Sequence, residues 1–499
     1  MDTTFDALLV RMKELRDLGG LIGLAAWDQE TYLPPKATEA RAQQLATLQG
    51  LHHERLVDPR LGEWLAWTEG RTDLTDDQHA MARVLIQERD RAVKVPRALV
   101  QALAEAQSRG LHAWREARKE NRFELFRPAL ERLLVLRREQ ADAYGHGGER
   151  YDALLEGFEP GMRVERLGPV LSSLRDTLIA WVARLQTAPR QVVDVLHGRR
   201  FDTDVQWRLS LRLLGDMGFD LEAGRQDKSI HPFSSGLHPT DVRLTTGLDE
   251  GSLASFFTTL HEGGHGLYEQ GFQTAHYRTP LANAPSMGLH ESQSRLWENL
   301  VGRGRPFWTH YFPVLREAFP QSLAGVDLAA FLASINRVTP SLIRVDADEV
   351  TYNLHIVLRY ELELLLIRDE LPLAELPEAW NERMRSFLGI TPPDDRQGVL
   401  QDIHWAWGEF GYFPTYALGN LYAASLFSTA KRALPGLEQG LARGELRPLR
   451  DWLRTHVHAE GYRLPAEERV RQVTGEGLTD EDFLAYLRSK FGALYDVKL

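Results

Sequence analysis

Two histidines and a glutamate lie close together at residues 261–265, in the sequence HEGGH. The apolar residues of the preceding segment, 253–260, recur at helical spacing, so the motif is predicted to lie on a helix. His261 and His265 are four residues apart and therefore share one helix face, from which two imidazoles can bind one zinc ion at ~2.0–2.1 Å. Glu262 is placed to act as the general base for a metal-activated water. The alternative is two solvent-facing histidines without a metal.

A catalytic zinc site has a third protein ligand and one open position. One class of zinc proteases places a third histidine six residues after the second, but Gly271 stands there, which excludes that class. Glu291 is the best candidate, because Pro285 and Ser286 just before it predict a helix start. The weaker alternatives are Glu269, Glu298 and His276.

Glycines interrupt the predicted metal-binding helix at Gly263, Gly264 and Gly266. Each should weaken the helix by about 1 kcal/mol relative to alanine. They also remove side chains, which allows another backbone or a substrate to come close. Since metal ligation can offset the helix penalty, the glycines favour a functional helix over a purely structural one.

The elements that must position these residues are mostly helical, since helical periodicity extends over most of the chain. Helix ends are predicted at LGG (18–20) and MGF (217–219). The exception is Gln226–Leu248, which is rich in Pro, Gly, Ser and Thr and predicts short strands or a hairpin beside the metal helix. An extended edge there could pair with a peptide by strand addition. The predicted long helices are Asp76–Lys94, Pro96–Glu120, Glu124–Tyr144, Val164–Leu185, Leu253–Gln270, Met287–Val301 and Asp348–Leu371.

Composition restricts the class of protein further. The chain has 499 residues and a net charge of −11, which disfavours nucleic acid or an anionic membrane as a partner. It has no cysteine, so disulfides and thiolate metal sites are excluded. No signal peptide or apolar run long enough to span a bilayer is recognised, and we expect a soluble, cytoplasmic protein.

Several motifs, in order along the chain, resemble those of the thermostable carboxypeptidase (Taq-type) family of HExxH metallocarboxypeptidases. Family members often have Met at the positions of Leu33 and Gly263, neither of which is a ligand. The matching segments are WDQETYLPP (27–35), HPF (231–233), DVRLT (241–245), HEGGH (261–265), HESQ (290–293), IRVDAD (343–348) and GVLQDIHW (398–405).

The resemblance implies a mainly α fold of the neurolysin type, a large helical bundle around a deep substrate cleft. We expect one catalytic domain over residues 1–499, which could comprise two helical subdomains flanking the cleft. It also implies a homodimer with one Zn²⁺ per subunit, replaceable by Co²⁺, and a Glu third ligand. The implied activity is broad-specificity removal of C-terminal residues, with resistance at a terminal proline.

Further site residues follow from the matched motifs. Arginine's planar fork is the best donor to a terminal carboxylate, and Arg243 and Arg344 are the candidate anchors. Any single arginine is otherwise more often part of a surface ion pair. The candidate oxyanion donors and substrate contacts are His404, Tyr412, Tyr416 and His231, although the aromatic residues around 404–416 also suit a core. Asp241 and Asp348 are candidate acceptors that orient neighbouring arginines or histidines.

Two alternative functions stay open at this point. An oligopeptidase of the same clan would cut internal bonds and would not need a carboxylate anchor. A catalytically inactive peptide-binding helical protein should have lost Glu262 or a metal ligand, and the sequence retains all of them.

Overall fold

Helices dominate the structure, as the sequence predicts. The computed structural model describes residues 3–499, and within them lie twenty α-helices and one small sheet. The helices of the first half are α1 (Thr3–Thr31), α2 (Thr38–Val57), α3 (Pro59–Thr68), α4 (Asp76–Lys94), α5 (Arg97–Glu120), α6 (Arg127–Tyr144), α7 (Arg150–Leu155), α8 (Val164–Gln186), α9 (Thr203–Met217) and α10 (Ala254–Glu269). Those of the second half are α11 (Met287–Arg295), α12 (Arg305–Ala318), α13 (Leu328–Ile335), α14 (Tyr352–Arg368), α15 (Leu376–Leu388), α16 (Pro414–Ala433), α17 (Leu437–Leu441), α18 (Arg447–His456), α19 (Ala466–Thr474) and α20 (Glu481–Tyr495).

The long helices predicted from periodicity are all present, and their bounds differ from the prediction by a few residues. The largest difference is in the segment Met287–Val301, where α11 ends at Arg295 and a π-helical segment continues from Leu296 to Val301. Wider π-helical turns often occur at functional sites.

The predicted strand segment forms a three-stranded sheet. Its strands are β1 (Gly224–Lys228), β2 (Ser234–His238) and β3 (Asp241–Thr246), in the order β1-β3-β2. β2 and β3 form the predicted antiparallel hairpin, with Ser235 opposite Arg243. β1 pairs in parallel with β3, a pairing that the sequence did not predict. On β3, Val242 and Leu244 are buried, and this apolar face lies against α10.

The helix end predicted at LGG (18–20) is wrong, since α1 continues through both glycines to Thr31. A Cβ on Gly20 would lie 3.1 Å from the Leu237 carbonyl oxygen, and one on Gly23 would lie 2.8 Å from the Leu237 side chain. The glycines therefore allow α1 to approach β2 closely instead of ending the helix. The end predicted at MGF is confirmed, because α9 ends at Met217 and Gly218 adopts a left-handed conformation.

Buried apolar residues form one large core that extends from α5 to α20, a smaller one in the N-terminal helices and a third, small cluster between α5 and α6. The smaller core lies among α1 to α4 and includes Leu8, Leu61 and Leu85, and Leu281 joins it from the segment between α10 and α11. Among the residues described, no helix is both long and apolar enough to cross a membrane.

Candidate metal centre

Two neighbouring helices bring the three candidate metal ligands together. α10 carries His261 and His265 on one face, and α11 carries Glu291. Glu291 Oε2 lies 3.6 Å from His261 Nε2 and 3.4 Å from His265 Nε2. Among residues 3–499, this is the group of His, Asp and Glu side chains that could hold a metal ion, with its ligand atoms all within 4.8 Å of one another.

The spacing of these atoms fits a single metal ion. Two ligands each ~2.1 Å from one ion at tetrahedral angles lie roughly 3.4 Å apart, close to the two separations from Glu291. Two imidazoles and one carboxylate are also a donor set that a catalytic zinc uses. The residues present therefore fit a divalent metal of the zinc or cobalt type.

The charge states of the three side chains have identifiable causes. Burial would favour the neutral acid at Glu291, but Arg295 and the two histidines hold its pKa well below the usual range. Burial and the nearby His290 lower the pKa of His265 to about 3, so its imidazole is neutral. Burial opposes the charge on His261, but Glu291 and Glu298 outweigh it and raise its pKa to about 9. A metal must displace that proton in order to bind.

A hydrogen-bonded network behind the ligands fixes their orientation. Glu298 accepts a hydrogen bond from His261 Nδ1 at 2.9 Å, which leaves Nε2 free for a metal. Arg295 donates to Glu291 Oε1 at 2.7 Å and to Glu298 Oε2 at 3.2 Å. It also donates to the Tyr352 hydroxyl at 3.1 Å. Sequence reasoning missed Arg295, although its position four residues after Glu291 on a predicted helix could have indicated the pair.

The three alternative ligands lie outside the cluster. Glu298 contacts His261 Nδ1 and does not belong to the group of three clustered side chains. Glu269 pairs with His290 at 2.8 Å, and the His290 ring stacks on that of His265 with centroids 4.4 Å apart. His276 lies beside Asp77 and Arg463 instead.

Glu262 follows His261 on α10 and is buried, with 6% of its surface exposed. Burial raises its pKa to about 7, while the charge of His261 lowers it and that of Glu291 raises it. A carboxylate with a pKa near neutrality can both accept and release a proton at physiological pH.

The glycines of α10 face three different neighbours. A Cβ on Gly264 would lie 2.5 Å from the Gln293 carbonyl oxygen and 2.8 Å from Ser294 Cα, both in the backbone of α11. A Cβ on Gly266 would meet Phe219, and one on Gly263 would meet the Met217 side chain at 2.9 Å. Gly264 thus allows α10 and α11, the two helices that carry the candidate ligands, to touch.

Gly264→Ala is expected to weaken metal binding far more than Gly263→Ala. Alanine at 264 must push α11, and Glu291 with it, away from α10, whereas alanine at 263 meets the flexible end of a methionine. Overpacking of this kind costs about 1–3 kcal/mol. Isothermal titration of each purified variant with Zn²⁺ tests the expectation, and equal affinities in the two variants would contradict it.

His404, Tyr412 and Tyr416 form a second group beside the ligands. The rings of Tyr412 and Tyr416 lie 5.3 Å apart, and His404 Nε2 lies 3.4 Å from the Tyr416 hydroxyl. Burial, together with the charge of Glu291, raises the pKa of Tyr412 to about 12, so its hydroxyl keeps its proton. Burial lowers the pKa of His404 to about 4, so its ring is neutral. All three can donate a hydrogen bond.

A buried glutamate on α14 supports this group. Glu363 accepts hydrogen bonds from Trp405 Nε1 at 2.8 Å, from Gly411 N at 3.0 Å and from the Tyr151 hydroxyl at 2.8 Å. Trp405 and Gly411 directly adjoin His404 and Tyr412 in the sequence. Glu363 therefore fixes the segment that carries both donors, and no local sequence pattern indicated this role.

Arg344 is linked to the candidate ligand Glu291 by the Tyr352 hydroxyl and Arg295. Its guanidinium donates to Asp402 at 2.9–3.0 Å, and its Nη1 lies 3.4 Å from the Tyr352 hydroxyl that also binds Arg295. Asp402 bonds the fully buried Arg359 as well, at 2.6 Å. Asp402 therefore holds the Arg344 guanidinium in a fixed orientation. Asp402 belongs to the GVLQDIHW segment, but its role was not predicted.

The other candidate residues lie away from the ligands. Arg243 points to the face of β3 opposite Val242 and Leu244, where it pairs with Asp241 at 2.9 Å and stacks 4.3 Å above the Trp27 ring. His231 is exposed in the segment between β1 and β2.

Asp348 differs from its expected role, since its carboxylate caps the segment before α14. It accepts hydrogen bonds from the backbone N–H groups of Thr339, Val350 and Thr351 and from the Thr351 hydroxyl. All four donors are backbone N–H groups or a hydroxyl, so no arginine or histidine is among them. Asp348 was predicted as an acceptor, but its partners are backbone N–H groups and the Thr351 hydroxyl.

A cavity of about 430 Å³ opens beside the metal centre. Its wall includes His290, Met287 and Phe158 on one side and Ser234 and Gly236 of β2 on the other. A larger cavity of about 920 Å³ lies behind the π-helical segment and contains none of the candidate site residues. The smaller cavity borders the metal centre through His290, whose ring stacks on that of His265.

Known proteins resemble this chain over its whole length. A family model described as carboxypeptidase Taq (M32) metallopeptidase matches residues 7–491. Thermostable carboxypeptidase 1 of Thermus thermophilus is 47% identical, with 99% of each chain covered. Carboxypeptidase 1 of Bacillus subtilis is 36% identical, with 97% of each covered.

Solved structures agree in fold. The M32 carboxypeptidase from Deinococcus radiodurans R1 superimposes with a TM-score of 0.96 at 40% identity, covering 99% of this chain and 100% of that one. Pyrococcus furiosus carboxypeptidase gives a TM-score of 0.94 at 33% identity, covering 98% of this chain and 99% of that one. Together with the His-His-Glu cluster, these similarities show that the chain is a metal-dependent peptide hydrolase and belongs to the carboxypeptidase Taq (M32) family of metallopeptidases.

Proposed function

We propose that this enzyme removes single residues, with broad specificity, from the free C-terminus of peptides. His261, His265 and Glu291 would hold one Zn²⁺ per chain, with Co²⁺ as a substitute. The observation that carries the proposal is the meeting of these three ligand atoms within 4.8 Å of one another. When bound, the metal supplies Lewis-acid polarisation of the scissile carbonyl and lowers the pKa of a water.

Glu262 is the proposed general base. Its buried carboxylate accepts a proton from the attacking water and later delivers it to the leaving amine. A pKa of about 7 supports both halves of this transfer, since neither protonation state is strongly favoured at neutral pH.

Tyr412 and His404 are the proposed donors to the carbonyl oxygen as it gains negative charge, with Tyr416 as a further substrate contact. Donors that keep their protons in a buried setting stabilise such a charge strongly, and loss of one typically costs about 10²–10³-fold in kcat. At neutral pH the Tyr412 hydroxyl keeps its proton and the neutral His404 ring keeps one N–H, which supports the assignment.

Arg344 is the proposed anchor for the substrate's terminal carboxylate, while Arg243, with Asp241 and His231, is proposed to close the far end of the groove. The short path from Arg344 through Tyr352 and Arg295 to Glu291 supports the first assignment.

Arg344→Lys is expected to lower kcat/KM for free-acid peptides about 10–10²-fold, because lysine lacks the fork that binds a carboxylate with two hydrogen bonds. Arg243→Lys is the matched control and should have a smaller effect. Steady-state kinetics on one peptide as free acid and as amide measures both. Equal losses in the two variants, or equal losses on acid and amide, would rule out Arg344 as the anchor.

A mass-spectrometric time course on a ten-residue peptide and its C-terminal amide tests the proposed activity. With Zn²⁺ or Co²⁺, the free acid should yield a ladder of single C-terminal losses, and the amide or added chelator should yield none. Internal cuts in both peptides would instead identify an oligopeptidase of the same clan. No cleavage by the metal-loaded protein would indicate a peptide-binding protein without catalysis.

We also propose, on the family resemblance, one catalytic domain over residues 1–499 that forms a cytoplasmic homodimer. Light scattering after gel filtration tests the dimer, and the mass of a single chain at micromolar concentration would contradict it.

A further inference from the structure

The helix that carries Glu291 begins on a short segment far away in the sequence. The backbone N–H of Met287 donates to the Phe158 carbonyl oxygen at 2.9 Å. The next N–H, that of Gly288, donates to Glu159 Oε2 at 3.0 Å. The first N–H groups of a helix have no partner within the helix, so Phe158 and Glu159 satisfy two groups that would otherwise be left unpaired in the interior.

The other two N–H groups of this first turn bond within the chain's own cap. Ser286 accepts from Leu289 N through its hydroxyl oxygen at 2.9 Å and from His290 N through its carbonyl oxygen at 3.1 Å. A local serine cap is a common way to begin a helix, and Ser286 was predicted from the sequence. Glu159, from the segment between α7 and α8, adds a partner that no local signal indicated.

The buried position of Glu159 is energetically unfavourable for a carboxyl group. Its side chain is 1% exposed, and its second oxygen, Oε1, has no hydrogen-bond partner within residues 3–499. Burial raises its pKa to about 8, although Ser286 and the Gly288 N–H favour the charged form. Burial of a carboxyl group with one oxygen unpartnered is unfavourable, so the contact with α11 has to compensate for it.

The contact is also tight. A Cβ on Gly288 would lie 2.6 Å from Glu159 Oε2 and 3.0 Å from Leu418 Cβ of α16. Glu291 lies one turn after Gly288 on α11, and a Cβ on Gly419 of α16 would lie 2.5 Å from Glu291 Cγ. The first turn of α11 is therefore confined between Glu159 and α16, and Glu291, three residues after Gly288, follows any displacement of that turn.

The same segment contacts the other half of the site. The Phe158 ring lies edge-on to the Tyr412 ring, with centroids 5.1 Å apart and planes at 79°. Its main-chain oxygen holds the metal-ligand helix, and its side chain contacts the proposed oxyanion donor.

We propose that Phe158 and Glu159 are positioning residues that align the two halves of the active site. Glu159 places Glu291 for metal binding, and the Phe158 ring places Tyr412 for catalysis. The proposal rests on the function proposed above, in which Glu291 is a ligand and Tyr412 a donor.

The test compares the Zn²⁺ dissociation constants of folded variants by competition with a chromogenic chelator. Glu159→Leu, which removes the acceptor, is expected to weaken metal binding about 10–100-fold, the usual effect of losing a group that supports a ligand. Glu159→Gln keeps one acceptor oxygen and should stay near wild-type affinity. Wild-type affinity in folded Glu159→Leu would overturn the assignment of Glu159.

Asp327→Ala provides a matched control for general loss of stability, because Asp327 caps α13 through Ala330 N at 2.8 Å. It should lower the melting temperature without changing the Zn²⁺ dissociation constant. If it weakens metal binding as much as Glu159→Leu does, the effect is not one of positioning and the proposal fails. If Glu159→Leu does not fold, Gly288→Ala disturbs the same contact, and wild-type affinity in that variant would overturn the proposal equally.

Phe158→Leu separates the two roles. It keeps the main-chain bond to Met287, so metal affinity should be unchanged, while kcat at saturating Zn²⁺ should fall. Unchanged kcat would overturn the assignment of Phe158.

Glu291→Ala, measured in parallel, separates a failure of the ligand assignment from a failure of the positioning roles. If it binds Zn²⁺ as tightly as wild type, the ligand assignment itself fails, whereas a failure confined to the Glu159 and Phe158 variants leaves that assignment standing.

Discussion

Glu262→Gln is expected to lower kcat by roughly 10²–10⁴-fold while leaving the metal bound, the usual contribution of a general base. Glutamine is nearly the same shape as glutamate, so packing around a side chain that is 6% exposed is preserved. It cannot accept the proton of the attacking water. Release of the C-terminal amino acid measures kcat, and metal analysis of the same sample measures occupancy.

Glu269→Gln is the matched control for this variant. Glu269 lies on the same helix, where it pairs with His290, and has no proposed role in proton transfer. Its substitution should change kcat by less than tenfold. If both variants lose activity equally, or if Glu262→Gln is fully active, Glu262 is not the base.

The pH profile provides a second signature of the same base. A general base must be deprotonated, so activity should fall as the pH drops below the pKa of Glu262. Burial raises this pKa to about 7, and a bound cation would lower it from there. In the wild type, the fall in activity on the acid side should therefore have its midpoint below pH 7. The residual activity of Glu262→Gln should not show this fall.

Glu291→Ala is expected to abolish high-affinity metal binding and to reduce activity to that of chelator-treated wild type. Alanine removes the only carboxylate of the ligand set and leaves Arg295 without one of its partners. Metal at 100 times its dissociation constant stabilises a folded protein by about 2.7 kcal/mol. Added Zn²⁺ should therefore raise the melting temperature of the wild type but not that of Glu291→Ala.

Glu298→Gln provides a comparison for the loss of metal binding in Glu291→Ala. Because Glu298 supports His261 without being a ligand, its substitution should weaken metal binding about 10–100-fold and leave a measurable response to Zn²⁺. A greater loss in Glu298→Gln than in Glu291→Ala would reverse the proposed roles of the two glutamates.

The features that could be predicted from the sequence are those set by short spacings. The shared helix face of His261 and His265 follows from their separation of four residues, and the start of α11 follows from Ser286. The glycines of α10 predicted a close approach, although not that Gly264 would meet the backbone of α11. The helical periodicity that predicted a mainly α fold depends on the same local geometry.

The features that could not be predicted depend on contacts between distant segments. Glu159 reaches the start of α11 across more than a hundred residues, and Asp402 joins Arg344 to Arg359 from a separate segment. Neither contact has a spacing that a local pattern could reveal. The continuation of α1 through its glycines has the same origin. Gly20 and Gly23 allow α1 to approach Leu237 of β2, which follows more than two hundred residues later in the sequence.

The direction in which Arg243 points could have been predicted from the alternation of residues along β3. The residues of β3 alternate between the two faces of the sheet, and the buried Val242 and Leu244 mark the face toward α10. Arg243 must then point the other way, toward Trp27. A motif match identified the arginine, but the alternation of the strand indicates that it lies away from the metal ligands.

In the proposed mechanism, one metal ion, held by His261, His265 and Glu291, is required for C-terminal release. Titration of the chelator-stripped enzyme with Zn²⁺, with amino-acid release from a free-acid peptide as the readout, tests it most directly. Activity should be absent at the start, rise in proportion to added metal and stop rising at one ion per chain. Full activity in the stripped enzyme, or a rise that continues to two ions per chain, would contradict it.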